Sequence, residues 1–173
     1  PLGWFKNHGY DETDFIHKHP NGNGHGDWWE PAERTLIPLD DPKRVFSLAR
    51  TSIGYLENRA SDKKPFFMMI SHYALHVRNM SLKSTRRKYL DLVAERAGID
   101  EEIPDISKFD DNAEEMPAKL RSHWERANYA AMMEDMDTSI GMVLDKLKEL
   151  GLEENTYVIF SSDNGGGSSN KPL

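Results

Sequence analysis

Two short stretches hold the side chains best suited to chemistry. Ser161-Ser162-Asp163-Asn164-Gly165-Gly166-Gly167 places a carboxylate, an amide and three glycines directly after an apolar run. Asp163 and Asn164 bring hard oxygen donors, the type that calcium and magnesium take. On a regular strand, adjacent side chains point to opposite faces. Glycines just past a strand end let the backbone turn, so that both oxygens can converge on one ion. The plainer use of Asp-Asn-Gly-Gly is a turn, and on local signal alone the turn is the commoner outcome.

The other stretch is Ser71-His72-Tyr73-Ala74-Leu75-His76. His72 and His76 have the H-x-x-x-H spacing that makes a zinc pair on a helix. On an extended chain four residues span about 13 Å, too far for one ion, and the apolar run before them argues against a helix. Taken alone, His76 is more often a hydrogen-bonded structural histidine than a catalytic one. Upstream, residues 1–30 mix His8, His17, His19 and His25 with Gly3, Gly9, Gly22, Gly24 and Gly26. A His-rich tract invites a metal reading, but turn formers at this density read first as a surface loop. Gly22-Asn23-Gly24-His25-Gly26 is not a dinucleotide fingerprint, because no apolar strand precedes it and no helical pattern follows. Asn79-Met80-Ser81 fits the glycosylation acceptor pattern, a tripeptide that often arises by chance. The chain has no Walker loop, no G-x-S-x-G elbow and no EF-hand spacing.

Asp163 and His76 each follow a run that must hold them in place. Pro65 opens Phe66-Phe67-Met68-Met69-Ile70, and Thr156-Tyr157-Val158-Ile159-Phe160 leads into the Ser-Ser-Asp-Asn turn. Apolar runs without alternation, bounded by turn signals, fit strands buried on both faces of a parallel sheet. In open α/β sheets ligands sit beyond the carboxyl ends of such strands, where both candidates lie. Helical patterns alternate with the runs. Asp41-Pro42 supplies a cap and a first-turn proline, and Val45, Ala49, Ser52, Ile53 and Leu56 follow at helical spacing. Residues 82–97 read as a basic helix carrying Leu82, Tyr89, Leu90, Val93 and Ala97, and residues 98–117 as an acidic, Pro-containing exposed insertion. Tyr129, Met132, Met133, Met136, Ile140, Val143, Leu144, Leu147 and Leu150 form a stripe stopped by Gly151, most simply a core face. The expected fold class is α/β, a mostly parallel sheet flanked by helices. No internal repeat is present.

Composition narrows the function classes. In 173 residues, 22 Lys+Arg against 29 Asp+Glu give a formal net charge of −7. That balance disfavours a nonspecific nucleic-acid binder, which needs a basic face. The longest apolar run, residues 66–70, is far too short for an integral membrane segment. With no Cys there is no disulfide framework and no thiolate metal site. The chain opens on Pro1-Leu2-Gly3-Trp4 and closes on Lys171-Pro172-Leu173. Both ends read as cut from something longer, so the compartment stays open.

Taken in order, these segments resemble the formylglycine-dependent sulfatases of the alkaline phosphatase superfamily. "KPFFMMISHYALH" resembles the family's strand with its downstream histidine, and "HGYDETD" the segment after its Lys/His motif. "YAAMMEDMDTSIGMVLDKLKELGLEENTYVIFSSDNGG" resembles the long helix, strand and metal-ligand turn. The resemblance implies an internal part, residues 1–173, of one alkaline-phosphatase-like catalytic domain, with a loop-rich segment at 1–40, an α/β segment at 41–173 and a variable insertion near 98–117. It implies that Asp163 and Asn164 ligate a divalent cation, calcium with magnesium as the alternative. It assigns His76 a catalytic and substrate-binding place, against the sulfate or the leaving oxygen.

The implied activity is hydrolysis of a sulfate ester, with a sulfated carbohydrate favoured over other small molecules. The whole protein would need a formylglycine-generating or related maturation enzyme. The family's nucleophile arises in a C/S-x-P/A-x-R motif, and no Cys and no Ser in that context occurs here. The family's N-terminal Asp pair, its Lys/His motif and its later Lys-containing Gly-rich motif are missing as well, and Lys171 sits too early to replace the last. These 173 residues alone are therefore expected to be inactive. Two alternatives stand beside this reading: a phosphonate or phosphodiester hydrolase of the same superfamily, and a catalytically inactive metal-binding fragment.

Overall fold

The computed structural model describes residues 41–76, 79–100, 102–103, 105–106 and 118–165. The His/Gly-rich stretch at 1–30, the HGYDETD segment, most of 98–117 and Gly166-Gly167 lie outside the described residues. Three helices dominate: α1 (Val45–Asp62), α2 (Lys83–Ala97) and α3 (Ala118–Glu149). Helices α1 and α2 each pack on α3.

Helix α1 shows how local chemistry sets a boundary. One turn of 3-10 helix, Pro42–Arg44, precedes it. The Asp41 carboxylate reaches past that turn and accepts the N–H groups of Phe46 at 2.9 Å and Ser47 at 3.1 Å. The Ser47 hydroxyl donates to the same carboxylate. The expected Asp41 cap therefore acts on a helix that starts three residues after Pro42. Lys63, in the left-handed region at φ 54°, ends α1 with its N–H on the Arg59 carbonyl at 3.0 Å.

Helix α2 is capped from another helix. Asp135 of α3 accepts the Leu82 N–H at 2.6 Å and the Thr85 hydroxyl at 2.7 Å, satisfying donors that open the helix. Gly98 closes α2 in the left-handed conformation at φ 62°, where a Cβ would be strained. Below the cap, Leu90 and Ala94 of α2 meet Leu120, Trp124 and Ala127 of α3. Ile103 and Ile106, within the stretch read as an exposed insertion, are buried in this cluster. The Arg86 guanidinium lies 4.9 Å from the Trp124 ring centre, and its Nε donates to Ser81 Oγ at 3.2 Å. Ser81 in turn donates to Asn128 Oδ1 at 2.7 Å. The Arg86 charge is tolerated here because Ser81 accepts from its guanidinium and is itself held by Asn128, while Trp124 Nε1 stays buried without a partner among the described residues.

Helix α3 has 32 residues, about 48 Å at roughly 1.5 Å each. Its buried face runs through Leu120, Trp124, Ala127, Asn128, Ala131, Met132, Asp135, Ser139, Val143 and Leu147. The expected stripe is partly displaced from that face: Tyr129, Met133 and Leu144 are exposed. Buried Asn128, Asp135 and Ser139 occupy the positions that an apolar-only pattern skips. At its C-terminal half, Val143 and Leu147 meet Ala49 and Leu56 of α1, with Phe66, Met68, Ile70, Leu150 and Leu152 against them.

Among the described residues the expected parallel sheet is not formed. The described residues contain helices, turns and extended segments but no strand, which corrects the α/β assignment. Residues 65–70 alternate instead: Phe66, Met68 and Ile70 are half-buried on the α1–α3 cluster, while Phe67 and Met69 are exposed. Residues 157–160 are exposed throughout, Tyr157 to 98%. An apolar run reports a demand for burial. It becomes a strand only when a neighbouring backbone pairs with it, and neither segment has such a neighbour among the described residues.

Candidate functional site

His76 lies at the exit of the 65–70 segment, where the backbone turns. Its N–H bonds the Tyr73 carbonyl at 3.0 Å, closing a tight turn over residues 73–76. The same two residues meet through their side chains. Tyr73 Oη lies 2.9 Å from His76 Nδ1, and the ring centres are 4.9 Å apart at 43°. Lys43 Nζ sits 4.8 Å from the centre of the Tyr73 ring. His76 itself is exposed, so Nδ1 is engaged within the protein while the imidazole faces solvent.

His72 differs. It is half-buried, burial holds its pKa below the ordinary histidine value, and its Nδ1 has no hydrogen-bond partner among the described residues. Residues 71–73 are not helical, so the condition for a His72–His76 zinc pair is not met. Asn79 is half-buried: its amide donates to Glu125 at 3.2 Å and its carbonyl accepts from Asn128. Ser81 of the same tripeptide is buried in the Arg86–Asn128 network. A glycan acceptor should stand clear of the surface, and this asparagine does not.

Asp163 and Asn164 lie where residues 156–160 end. Asn164 Nδ2 donates to Asp163 Oδ2 at 2.9 Å, and Ser162 Oγ donates to the Asn164 carbonyl at 2.6 Å. The two side chains thus meet on one side of a bent backbone, through the amide nitrogen of Asn164 and the carboxylate of Asp163. Both are exposed. Hard cations of the calcium type take about six to eight oxygens, and among the described residues no group of three or more His, Asp or Glu gathers. A carboxylate and an amide oxygen are donors of the type that calcium takes, two where a full shell needs about six to eight.

The described contacts form two groups, Lys43–Tyr73–His76 and Ser162–Asp163–Asn164. Tyr73 and Lys43 were not among the candidates legible in the sequence. A tyrosine three residues before a histidine in a turn is a usable signal for the first. For Lys43, thirty positions earlier, the sequence carries none. No helix among the described residues is long and apolar enough to cross a membrane.

A model of the sulfatase family matches residues 1–173. Among curated proteins, a sulfatase of Formosa agariphila is 28% identical over 165 residues, covering 89% of this chain and 24% of the relative. An ulvan-active sulfatase of the same organism is 33% identical over 121 residues, 69% of this chain and 21% of the relative. An endo-4-O-sulfatase of Bacteroides thetaiotaomicron is 28% identical over 169 residues, 94% of this chain and 28% of the relative. The chain thus spans about a quarter of the length of these relatives. No solved structure matches it.

Proposed function

This chain belongs to the sulfatase family, and we propose that the whole protein hydrolyses sulfate esters, with a sulfated carbohydrate as substrate. The match of the family model across all 173 residues carries the reading. The relatives named for ulvan and for endo-4-O activity support the carbohydrate class. On this reading the 173 residues are an internal part of one catalytic domain.

Within this chain, Asp163 and Asn164 would hold a calcium ion through side-chain oxygens. A bound dication supplies charge that neutralises sulfate oxygens. His76 would donate a hydrogen bond to the ester oxygen as negative charge develops there. The nucleophile comes from residues other than these, since the chain has no Cys and no Ser in the C/S-x-P/A-x-R context. A formylglycine, installed by a maturation enzyme, would supply that nucleophile in the whole protein.

The test is sulfate release by the whole protein from sulfated oligosaccharides, compared with phosphodiesters and phosphonates of similar size. Faster turnover of sulfated sugars is the expected result. A strong preference for a phosphodiester or phosphonate over every sulfate would overturn the proposal.

A further inference from the structure

The turn that carries His76 holds more than the histidine. Tyr73 Oη is 2.9 Å from Nδ1, so one ring nitrogen of His76 is committed inside the protein. Either the phenol donates to a bare Nδ1, or Nδ1–H donates to the phenol oxygen. The cation decides between these. Lys43 Nζ lies over the face of the Tyr73 ring at 4.8 Å and draws electron density from it. A phenol so polarised is a better donor and a poorer acceptor, which leaves Nδ1 bare and puts the imidazole proton on Nε2.

The position of Lys43 is itself held. Lys43 and Arg44 have φ of 54° and 57°, a left-handed conformation that is uncommon for residues other than glycine. Asp41 fixes this turn from both sides, through its carbonyl to the Arg44 N–H at 3.0 Å and through its carboxylate to Phe46 and Ser47. Lys43 is 2% exposed despite its charge. Backbone strain and a buried ammonium are retained where the surroundings over-determine them, and here they aim a cation at one aromatic ring.

We infer that Tyr73 is a positioning residue for His76: its hydroxyl fixes the Nε2–H tautomer and the ring direction, and Lys43 holds and polarises the phenol. In that tautomer Nε2–H of His76 is the hydrogen-bond donor to the departing ester oxygen, and the ring retains its proton. This rests on the reading of His76 as the residue that meets the ester. The chemistry served is stabilisation of charge on a leaving alcohol oxygen.

Tyr73→Phe in the whole protein removes only the hydroxyl and keeps the ring under Lys43. Histidine-selective 15N spectra, with His76 assigned by its loss in His76→Ala, should give Nε2–H in the parent protein and a tautomer mixture in Tyr73→Phe. With a sulfated oligosaccharide, kcat should fall about tenfold, the loss expected of one neutral hydrogen bond, at unchanged KM and calcium content. In a His76→Ala background the same substitution should cost less than about twofold, because the partner it positions is gone. An unchanged His76 tautomer in Tyr73→Phe, or an equal loss in both backgrounds, would overturn the inference. If no sulfate ester is turned over, the sulfatase reading falls, and the tautomer measurement still decides the role of Tyr73.

Discussion

The two halves of α3 support different kinds of structure. Around its N-terminal half, Leu90, Ala94, Ile103, Ile106, Leu120, Trp124 and Ala127 close on one another, and the polar atoms of Ser81, Arg86 and Asn128 bond within the same layer. Around its C-terminal half, α1 and residues 66–70 cover one side, while Phe67, Met69 and residues 157–160 stand exposed. The candidate site residues all belong to the open half or to the turns leaving it. Packing that is complete in itself can be tested by stability. A site built on turns must be tested by binding and turnover.

Substitutions that separate those two readouts test the contrast directly. Trp124→Ala, in the closed half, should have the largest effect. Trp124 is wholly buried and carries the Arg86 contact, so its loss should cost about 3–5 kcal/mol in chemical denaturation. Calcium affinity of the protein that remains folded should not change. A Trp124→Ala protein of parental stability would show that the closed half is not where α3 is anchored.

Asp163→Ala should behave oppositely. It removes a charged oxygen from an exposed turn, so turnover should fall by about a hundredfold or more with loss of calcium, while the unfolding midpoint stays near the parental value. Asn164→Ala should do the same more mildly, since a neutral carbonyl oxygen gives up less attraction. His76→Ala should lower turnover with calcium retained. Calcium content and initial rate on the three variants separate ligand from turn. Full calcium occupancy in Asp163→Ala would leave Asp163 as a turn residue only.

Asp135 tests the closed half more finely. Burial raises its pKa, against the hydrogen bonds from Leu82 and Thr85 that favour the anion. A raised folded-state pKa means that the folded protein holds a proton more firmly than the unfolded chain does. The contribution is therefore full below the ordinary Asp pKa and is lost as pH rises through the raised value. Asp135→Asn should remove that decline from a stability-versus-pH series and cost about 1–2 kcal/mol near neutral pH through weaker capping of α2. A series parallel to the parent's would mean that Asp135 titrates alike in both states.

What the sequence could show follows the same division. Helices α1 and α2 were legible because Asp41, Pro42 and the 3.6-residue spacing of Val45, Ala49 and Leu56 are local signals. Helix α3 was legible from Tyr129 onward but not back to Ala118, because its earlier buried face mixes Leu120 and Trp124 with Asn128. The stripe was partly misplaced, since Asn128, Asp135 and Ser139 are buried for their hydrogen bonds, which hydrophobicity does not encode. The two apolar runs carry a strand signal, although pairing depends on a second backbone that a local pattern cannot supply. Asp163 and Asn164 are legible as oxygen donors from residue type and position alone, and the contact between them runs through the Asn164 amide nitrogen. Lys43 was invisible, because only the folded turn carries it to Tyr73.

The smallest effect bears on that last contact. Lys43→Met keeps the apolar stem and the volume near Tyr73 and removes the charge. If the ammonium only fills space, turnover and stability should both stay at parental values. If it polarises the phenol, Tyr73 becomes a weaker donor, His76 samples both tautomers, and kcat should fall about threefold, the scale of one cation–π contact. The effect should be smaller than that of Tyr73→Phe, because the hydroxyl remains. It should also vanish in a Tyr73→Leu background, where no ring is left for the cation to act through. A threefold loss that persists without the ring would place Lys43 against the substrate itself, and the open half would then contribute a second charged contact to the site.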